Sequence, residues 1–152
     1  MITPDERHST LLTLYPLFKE EVYRRRQEMM RWTAYGSAGL LAMLLLLVLH
    51  PHTNRLTSTE TLLAGLAGLI WCGLFCALIR QQQDRHRQAK QVLIHLEQAL
   101  NLYAEGIFVE DHSLYPQTWA SDWTRDQTGR LYYGTLGTLT ALVLLALALS
   151  FS

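Results

Sequence analysis

Three long apolar segments dominate the sequence, at residues 32–49, 61–79 and 131–151, and none of them contains a charged residue. Each segment has about 18 to 21 residues, which is the length an α-helix needs to cross the roughly 30 Å hydrocarbon layer of a membrane. A segment inside lipid must satisfy its own backbone hydrogen bonds, which a helix does. The pattern therefore predicts an all-α integral membrane protein with three transmembrane helices.

The same pattern divides the chain into seven predicted segments. They are a cytoplasmic amphipathic helix (1–31), a first transmembrane helix (32–50), an external loop (51–60), a second transmembrane helix (61–79), a cytoplasmic helix (80–105), an aromatic interfacial segment (106–130) and a third transmembrane helix (131–151). No Gly or Pro interrupts residues 80–105, so we expect the second span to extend into a long cytoplasmic helix that Gly106 ends.

The positive charges indicate an orientation. Net charge is zero, but 12 of the 13 Lys and Arg residues lie before the first span or between the second and third spans. Only Arg55 lies in the first loop. Basic residues are retained on the cytoplasmic side, so the N-terminus is predicted to be cytoplasmic and the C-terminus to lie outside. We expect a multi-pass protein of the bacterial inner membrane.

Apolar residues recur at helical spacing in both predicted cytoplasmic helices. They form an association stripe that comprises Leu11, Tyr15, Phe18, Val22, Val92, Leu93, Leu96, Leu100 and Tyr103. An apolar stripe of this length requires a partner. Two partners are open at this point, because the N-terminal half can cover the other half, or the stripe can pair with its copy in a neighbouring subunit.

Small residues at helical spacing in the three spans predict close helix packing. The helix-packing interface comprises Ala34, Ala38 and Ala42 in the first span, Gly65, Gly68, Cys72 and Cys76 in the second, and Gly134, Gly137 and Ala141 in the third. Small residues let backbones approach where lipid removes the hydrophobic drive. The simpler interpretation is packing within one chain. The alternative is a subunit interface, because three such faces exceed what one three-helix chain needs.

Aromatic residues mark the predicted interfacial segment. Trp119 and Trp123 share a helix face after Pro116, and Tyr132 and Tyr133 adjoin the third span. Aromatic side chains of this kind anchor proteins among membrane lipids. Nucleic acid is not an expected partner, since the basic residues interleaved here are offset by acidic ones.

Signals of chemistry are weak. His50, His52 and Glu60 could offer a metal two imidazoles and a carboxylate, but a polar loop in which Pro51 ends the helix explains them more simply. His95 borders the association stripe and is expected to be an interface residue. The sequence contains no phosphate-binding loop, nucleophile elbow or haem-attachment motif. We expect no enzyme and no cofactor.

Two segments carry a resemblance to known families. They are Tyr23, Arg24, Arg25 and Arg26 before the first span, and Ala89, Lys90, Gln91, Val92, Leu93, Ile94, His95, Leu96 and Glu97 after the second. In this outline the chain resembles small bacterial membrane proteins of the RipA-like octameric type and, more loosely, the SLATT-type membrane effector domains. The resemblance implies assembly into membrane rings or pores and supplies no catalytic residue.

Two functions are therefore expected from the sequence. The first is a non-enzymatic inner-membrane protein that self-assembles into a homo-oligomer and acts as a scaffold or a regulated pore. The second is an accessory structural subunit of a larger hetero-oligomeric membrane complex. Both use membrane lipids and other membrane subunits, identical or different, as partners.

Overall fold

The computed structural model of the chain describes residues 4–49, 57–125 and 128–151. The elements are α1 (Pro4–Leu49), α2 (Ser58–Ala99), β1 (Glu105–Val109), β2 (His112–Ser113), a 3-10 helix (Gln117–Arg125) and α3 (Thr128–Phe151). All three α-helices are long and apolar enough to cross a membrane. The predicted helical class and the three candidate spans are confirmed at this level.

Helix α1 joins the predicted amphipathic helix and the predicted first span into one helix of 46 residues. Pro4 occupies its first position, where the missing N–H of proline costs nothing. Asp5 and Glu6 in the first turn complement the positive end of the helix dipole. Pro16 lies inside the helix, and α1 continues past it to Leu49.

Helix α2 begins with a capping box. The backbone N–H of Thr57 donates to the Glu60 carboxylate (2.8 Å), and the backbone N–H of Glu60 donates to the Thr57 hydroxyl (3.3 Å). Glu60 therefore has a structural role at the start of the helix. The helix then continues for 42 residues, as expected from the absence of Gly and Pro after residue 80.

The predicted end of α2 near Glu105 is wrong, because the helix ends at Ala99. Asn101 adopts the left-handed conformation with φ 58°. The N–H of Leu102 donates to the carbonyl of Glu97 and that of Asn101 to the carbonyl of Gln98, both at 3.0 Å. These are the two bonds of a Schellman cap, with Asn in the position more often held by glycine.

A short β-hairpin follows, which the sequence did not predict. Strands β1 and β2 pair antiparallel with an irregular register, and Asp111 in the turn has φ 59°. Gly106, expected to end the helix, instead lies in β1 with φ 75°. The predicted aromatic segment is thus a hairpin followed by a 3-10 helix, whose first turn is closed by the N–H of Trp119 donating to the carbonyl of Pro116 (2.9 Å).

The chain divides into two compact units. We call Glu28–Gln81 with Thr128–Ser152 the apolar unit, and Met1–Gln27 with Gln82–Gln127 the polar unit. The core of the apolar unit consists of Leu40, Phe75, Ile79, Leu136, Val143 and Leu147. In the polar unit the buried apolar residues are Ala89, Ile94, Leu96 and Leu100, and the buried polar residues are Gln83, His86 and Glu97.

Contacts at two glycines show the relative directions of the three helices in the apolar unit. A β-carbon added at Gly36 would lie 2.9 Å from Phe75 and 3.0 Å from Leu136. One added at Gly68 would lie 3.6 Å from Met43 and 3.8 Å from Val143. As residue numbers fall along α2, they rise along both α1 and α3. The three helices are therefore arranged up, down and up, with α2 antiparallel to the other two.

Candidate assembly surfaces

Among the described glycines of the apolar unit, Gly36 and Gly39 on α1 have the closest neighbours, which are side chains of α2 and α3. A β-carbon at Gly39 would lie 2.5 to 2.7 Å from the Trp71 ring, so this ring occupies the space that glycine leaves. The Trp71 indole N–H donates to the carbonyl of Gly36 (3.1 Å). This hydrogen bond satisfies a polar N–H in an apolar environment, where an unpaired donor is costly.

Sequence reasoning missed this contact. The predicted interface residues of the first span, Ala34, Ala38 and Ala42, are exposed, whereas Gly36 is buried and Gly39 is half-buried. The available signal was the pair of glycines three residues apart, since glycine weakens a helix and is retained where backbones approach closely.

The predicted small-residue face of the second span packs inside the chain. A β-carbon at Gly65 would lie 3.7 Å from Leu144, and Gly68 is buried between α1 and α3. Cys72 and Cys76 pack against the core, with their Sγ atoms 4.0 Å apart. Four of the ten predicted interface residues thus contact other helices or the core of the same chain.

The other two small-residue faces are exposed. Ala34, Ala38 and Ala42 on α1 are exposed, and so are Gly134, Gly137 and Ala141 on α3. A β-carbon at Gly134 or Gly137 would meet no atom within 4 Å. Within the described chain, Gly134 and Gly137 therefore make no close helix contact. They are available to lipid or to a second protein.

Two residues from the N-terminal half of the association stripe, Tyr15 and Val22, make polar contacts within the polar unit. The hydroxyl groups of Tyr15 and Tyr115 are 2.8 Å apart, and His86 Nδ1 lies 3.2 Å from the carbonyl oxygen of Val22. The Arg25 guanidinium donates to the Gln82 side chain (3.1 Å). Burial is uneven along the stripe. Leu96 and Leu100 are buried, Leu11, Tyr15, Phe18, Val22, Leu93 and Tyr103 are half-buried, and Val92 is exposed.

Three buried polar residues of α2 were not predicted as interface residues. Gln83, His86 and Glu97 continue the buried face that passes through Ile79 at spacings of three and four residues. Heptad spacing from Ile79 could have identified them, but a prediction based on apolar residues alone passes over polar ones. His95, which was predicted at the interface, is exposed, and His86 is the buried histidine.

A tyrosine cluster links the end of α2 to α1 and the 3-10 helix. The Tyr103 hydroxyl donates to the buried Glu97 carboxylate. The centroid of the Tyr115 ring lies 6.0 Å from that of Tyr103 and 5.7 Å from that of Trp119. Burial raises the pKa of Tyr15 and of Tyr103 well above the usual value. The hydrogen bond to Tyr115 adds to the pKa rise of Tyr15, and the bond to Glu97 adds to that of Tyr103.

The predicted membrane anchors differ in their surroundings. The Trp119 side chain is 53% exposed, whereas Tyr132 and Tyr133 are half-buried against the apolar core. The Trp123 side chain and both loop histidines, His50 and His52, lie outside the described residues. Among the described residues, no group of three His, Cys, Asp or Glu side chains could hold a metal ion.

Comparison with known proteins adds no assignment. No protein-family model, no curated protein and no solved structure matches this chain. Function must therefore be argued from the chain's own surfaces.

Proposed function

We propose that this chain is a non-enzymatic, multi-pass protein of the bacterial inner membrane that self-assembles into a homo-oligomer, which acts as a scaffold or a regulated pore. Its N-terminus and the segment between the second and third spans are cytoplasmic, and its C-terminus lies outside. Residues of α1 and α3 join neighbouring copies within the membrane. The distribution of Lys and Arg supports this orientation.

One observation carries the proposal, which is that two small-residue faces of the apolar unit are exposed. Gly137 and Ala38 lie on helices long enough to cross a membrane; a β-carbon at Gly137 would meet no atom within 4 Å, and Ala38 is exposed. Glycine in a helix interior costs about 1 kcal/mol relative to alanine. Close approach of a helix from a second copy offsets that cost, since packing rather than hydrophobicity drives association in lipid.

The composition of the exposed faces limits what a pore could use as a lining. Cys72 and Cys76 face the core of the chain, so they are not available for this purpose. Thr135 and Thr138 on α3 are exposed. A pore formed between copies would therefore be lined by threonine hydroxyl groups and glycine backbone, which suits weak ion selectivity.

The test is the native mass and composition of the tagged protein after gentle extraction from membranes. A single mass that is two or more times 17.4 kDa supports self-assembly. Conductance of that species in planar lipid bilayers then separates a pore from a scaffold. A mass of 17.4 kDa alone would contradict the proposal.

The alternative, an accessory subunit of a hetero-oligomeric membrane complex, is favoured by the hairpin. All five residues of β1 are exposed, among them Ile107, Phe108 and Val109. An exposed apolar strand with unpaired backbone groups is a common docking site for another polypeptide. In this case the extracted mass would contain other proteins in fixed ratio.

A further inference from the structure

The register of the apolar unit brings three arginines to one level. Gly36, Phe75 and Leu136 mark a level at which all three helices meet. Arg31 lies five residues before Gly36, Arg80 five residues after Phe75, and Arg130 six residues before Leu136. At 1.5 Å per residue, each arginine lies about 7.5 to 9 Å from that level, and the antiparallel order puts all three on the same side.

Each arginine has one acidic residue within four positions of it along the chain, namely Glu28 for Arg31, Asp84 for Arg80 and Asp126 for Arg130. All three are exposed, and Arg31 is paired with Glu28 (3.1 Å). Neither Arg80 nor Arg130 has a carboxylate within salt-bridge distance in the described part of the chain. The one other described carboxylate of the apolar unit is Glu60, at the opposite end of α2. Two guanidinium groups are thus free to bind an anion.

Aromatic side chains accompany the arginines at the edge of the apolar core. Three rings pack against the core: Trp32, which follows Arg31 directly, and Tyr132 and Tyr133, which lie two and three residues after Arg130. Such rings lie at the boundary between acyl chains and headgroups. A guanidinium group at that depth can form two parallel hydrogen bonds to a phosphate.

We propose that Arg31, Arg80 and Arg130, with Trp32, Tyr132 and Tyr133, form an arginine rim that binds the headgroups of anionic phospholipids in preference to zwitterionic ones. The adjoining rings favour a lipid over free phosphate, because they contact the glycerol and upper acyl chain that free phosphate lacks. The rim lies within one chain, so this inference is independent of self-assembly.

The test uses the full chain, delipidated in detergent and titrated with phosphatidylglycerol or phosphatidylcholine of identical acyl chains. Bound lipid is counted by native mass spectrometry. We expect the wild type to prefer phosphatidylglycerol by roughly tenfold or more, since each basic residue near the surface contributes severalfold. The double variant Arg80→Gln with Arg130→Gln should lose most of that preference.

The control is Arg24→Gln with Arg87→Gln, which removes the same total charge. Arg24 lies seven residues before Arg31 on α1, and Arg87 lies seven residues after Arg80 on α2. It should keep the preference. A wild type without preference, or a control that loses as much as the rim variant, would overturn the proposal. Displacement of the lipid by millimolar inorganic phosphate would assign the site to a free anion and would also overturn it.

If Arg80→Gln with Arg130→Gln does not fold, two further measurements test the arginine rim. Arg80→Lys with Arg130→Lys retains the charge and should retain most of the preference. In the wild type, salt at about 0.5 M should reduce the preference strongly, because exposed charges are then screened. A preference unaffected by salt, or lost in the lysine variant while its helix content is normal, would contradict the rim.

Discussion

The apolar unit and the polar unit hold their helices together by different means. In the apolar unit α1 meets α2 where α1 has no side chains, at Gly36 and Gly39, and the Trp71 ring fills the space. In the polar unit the contacts between α1 and α2 come from polar side chains, with Arg25 bonded to Gln82 and His86 Nδ1 lying 3.2 Å from the carbonyl oxygen of Val22. Lipid offers no hydrophobic gain for helix pairing, so close fit replaces it. In water, burial of an apolar stripe is favourable, and polar contacts between particular side chains then determine which surface covers it.

The largest expected effect comes from filling the glycine contact. Gly39→Leu would drive a side chain into the Trp71 ring, which already lies within 2.7 Å of the β-carbon position. Overpacking of this kind costs about 3 kcal/mol or more, since the ring cannot leave without breaking its hydrogen bond to Gly36. Thermal denaturation in detergent, followed by near-ultraviolet circular dichroism, measures the loss.

Gly73→Leu is the matched control for that substitution. Gly73 lies on the same helix as Trp71, and a β-carbon there would meet nothing within 4 Å. Its melting temperature should stay close to that of the wild type. Equal destabilisation by the two leucines would contradict the role of the Trp71 contact, because leucine is a better helix former than glycine and does not by itself weaken a helix.

A smaller effect is expected from removing Glu97, the buried carboxylate of the polar unit. Glu97→Ala leaves the Tyr103 hydroxyl without its acceptor in a half-buried position, which costs about 1 to 3 kcal/mol. Glu97→Gln retains an acceptor and should cost less. Hydrogen exchange at the last turns of α2 measures both variants. Protection as high in Glu97→Ala as in the wild type would contradict this role of the cluster.

Alkaline pH should weaken the polar unit through the same cluster. The raised pKa values of Tyr15 and Tyr103 mean that the folded chain holds their protons more tightly than the unfolded chain, whose tyrosines titrate near 10. The stabilisation is therefore fully present below pH 10 and is lost as the pH rises above it. Tyrosinate absorbance recorded beside helix content should show loss of structure above this pH, and Tyr15→Phe with Tyr103→Phe should reduce the dependence.

The smallest effect is expected from the indole hydrogen bond alone. Trp71→Phe removes the donor to the Gly36 carbonyl and keeps an aromatic ring in most of the space beside Gly39. Hydrogen bonds between membrane helices contribute about 0.6 kcal/mol on average, to which part of the lost packing adds. A fall in melting temperature larger than that of Gly39→Leu would reverse the order of effects argued for the apolar unit.

Sequence alone predicted the three spans and the extension of the second span into the helix that follows it, because these depend on hydrophobicity and on the absence of Gly and Pro after residue 80. It did not predict the end of α2, because Asn101 is one of several residues that tolerate the left-handed conformation and only the cap bonds select it. The hairpin was missed for a related reason, since its short β1 strand is exposed throughout and lacks alternating burial.

Helix faces were predicted less well than helices. Several faces of the first span carry small residues, and the choice between Ala38 and Gly39 depends on a bulky partner, Trp71, in another helix. A single sequence contains no signal that pairs the two. The same limit explains why the face with Gly68 could not be assigned to the chain interior, or the face with Gly137 to the exterior, before the three helices were placed together.

The most direct test of self-assembly through the exposed faces is the native mass of Gly137→Leu beside that of the wild type and Gly73→Leu. We predict that the wild type and Gly73→Leu share one multiple of 17.4 kDa, twofold or higher, whereas Gly137→Leu falls to smaller species with an unchanged helix content. Gly137 has open space around it, so the leucine leaves the packing of its own chain intact. Retention of the wild-type mass by Gly137→Leu would show that copies do not meet through this face.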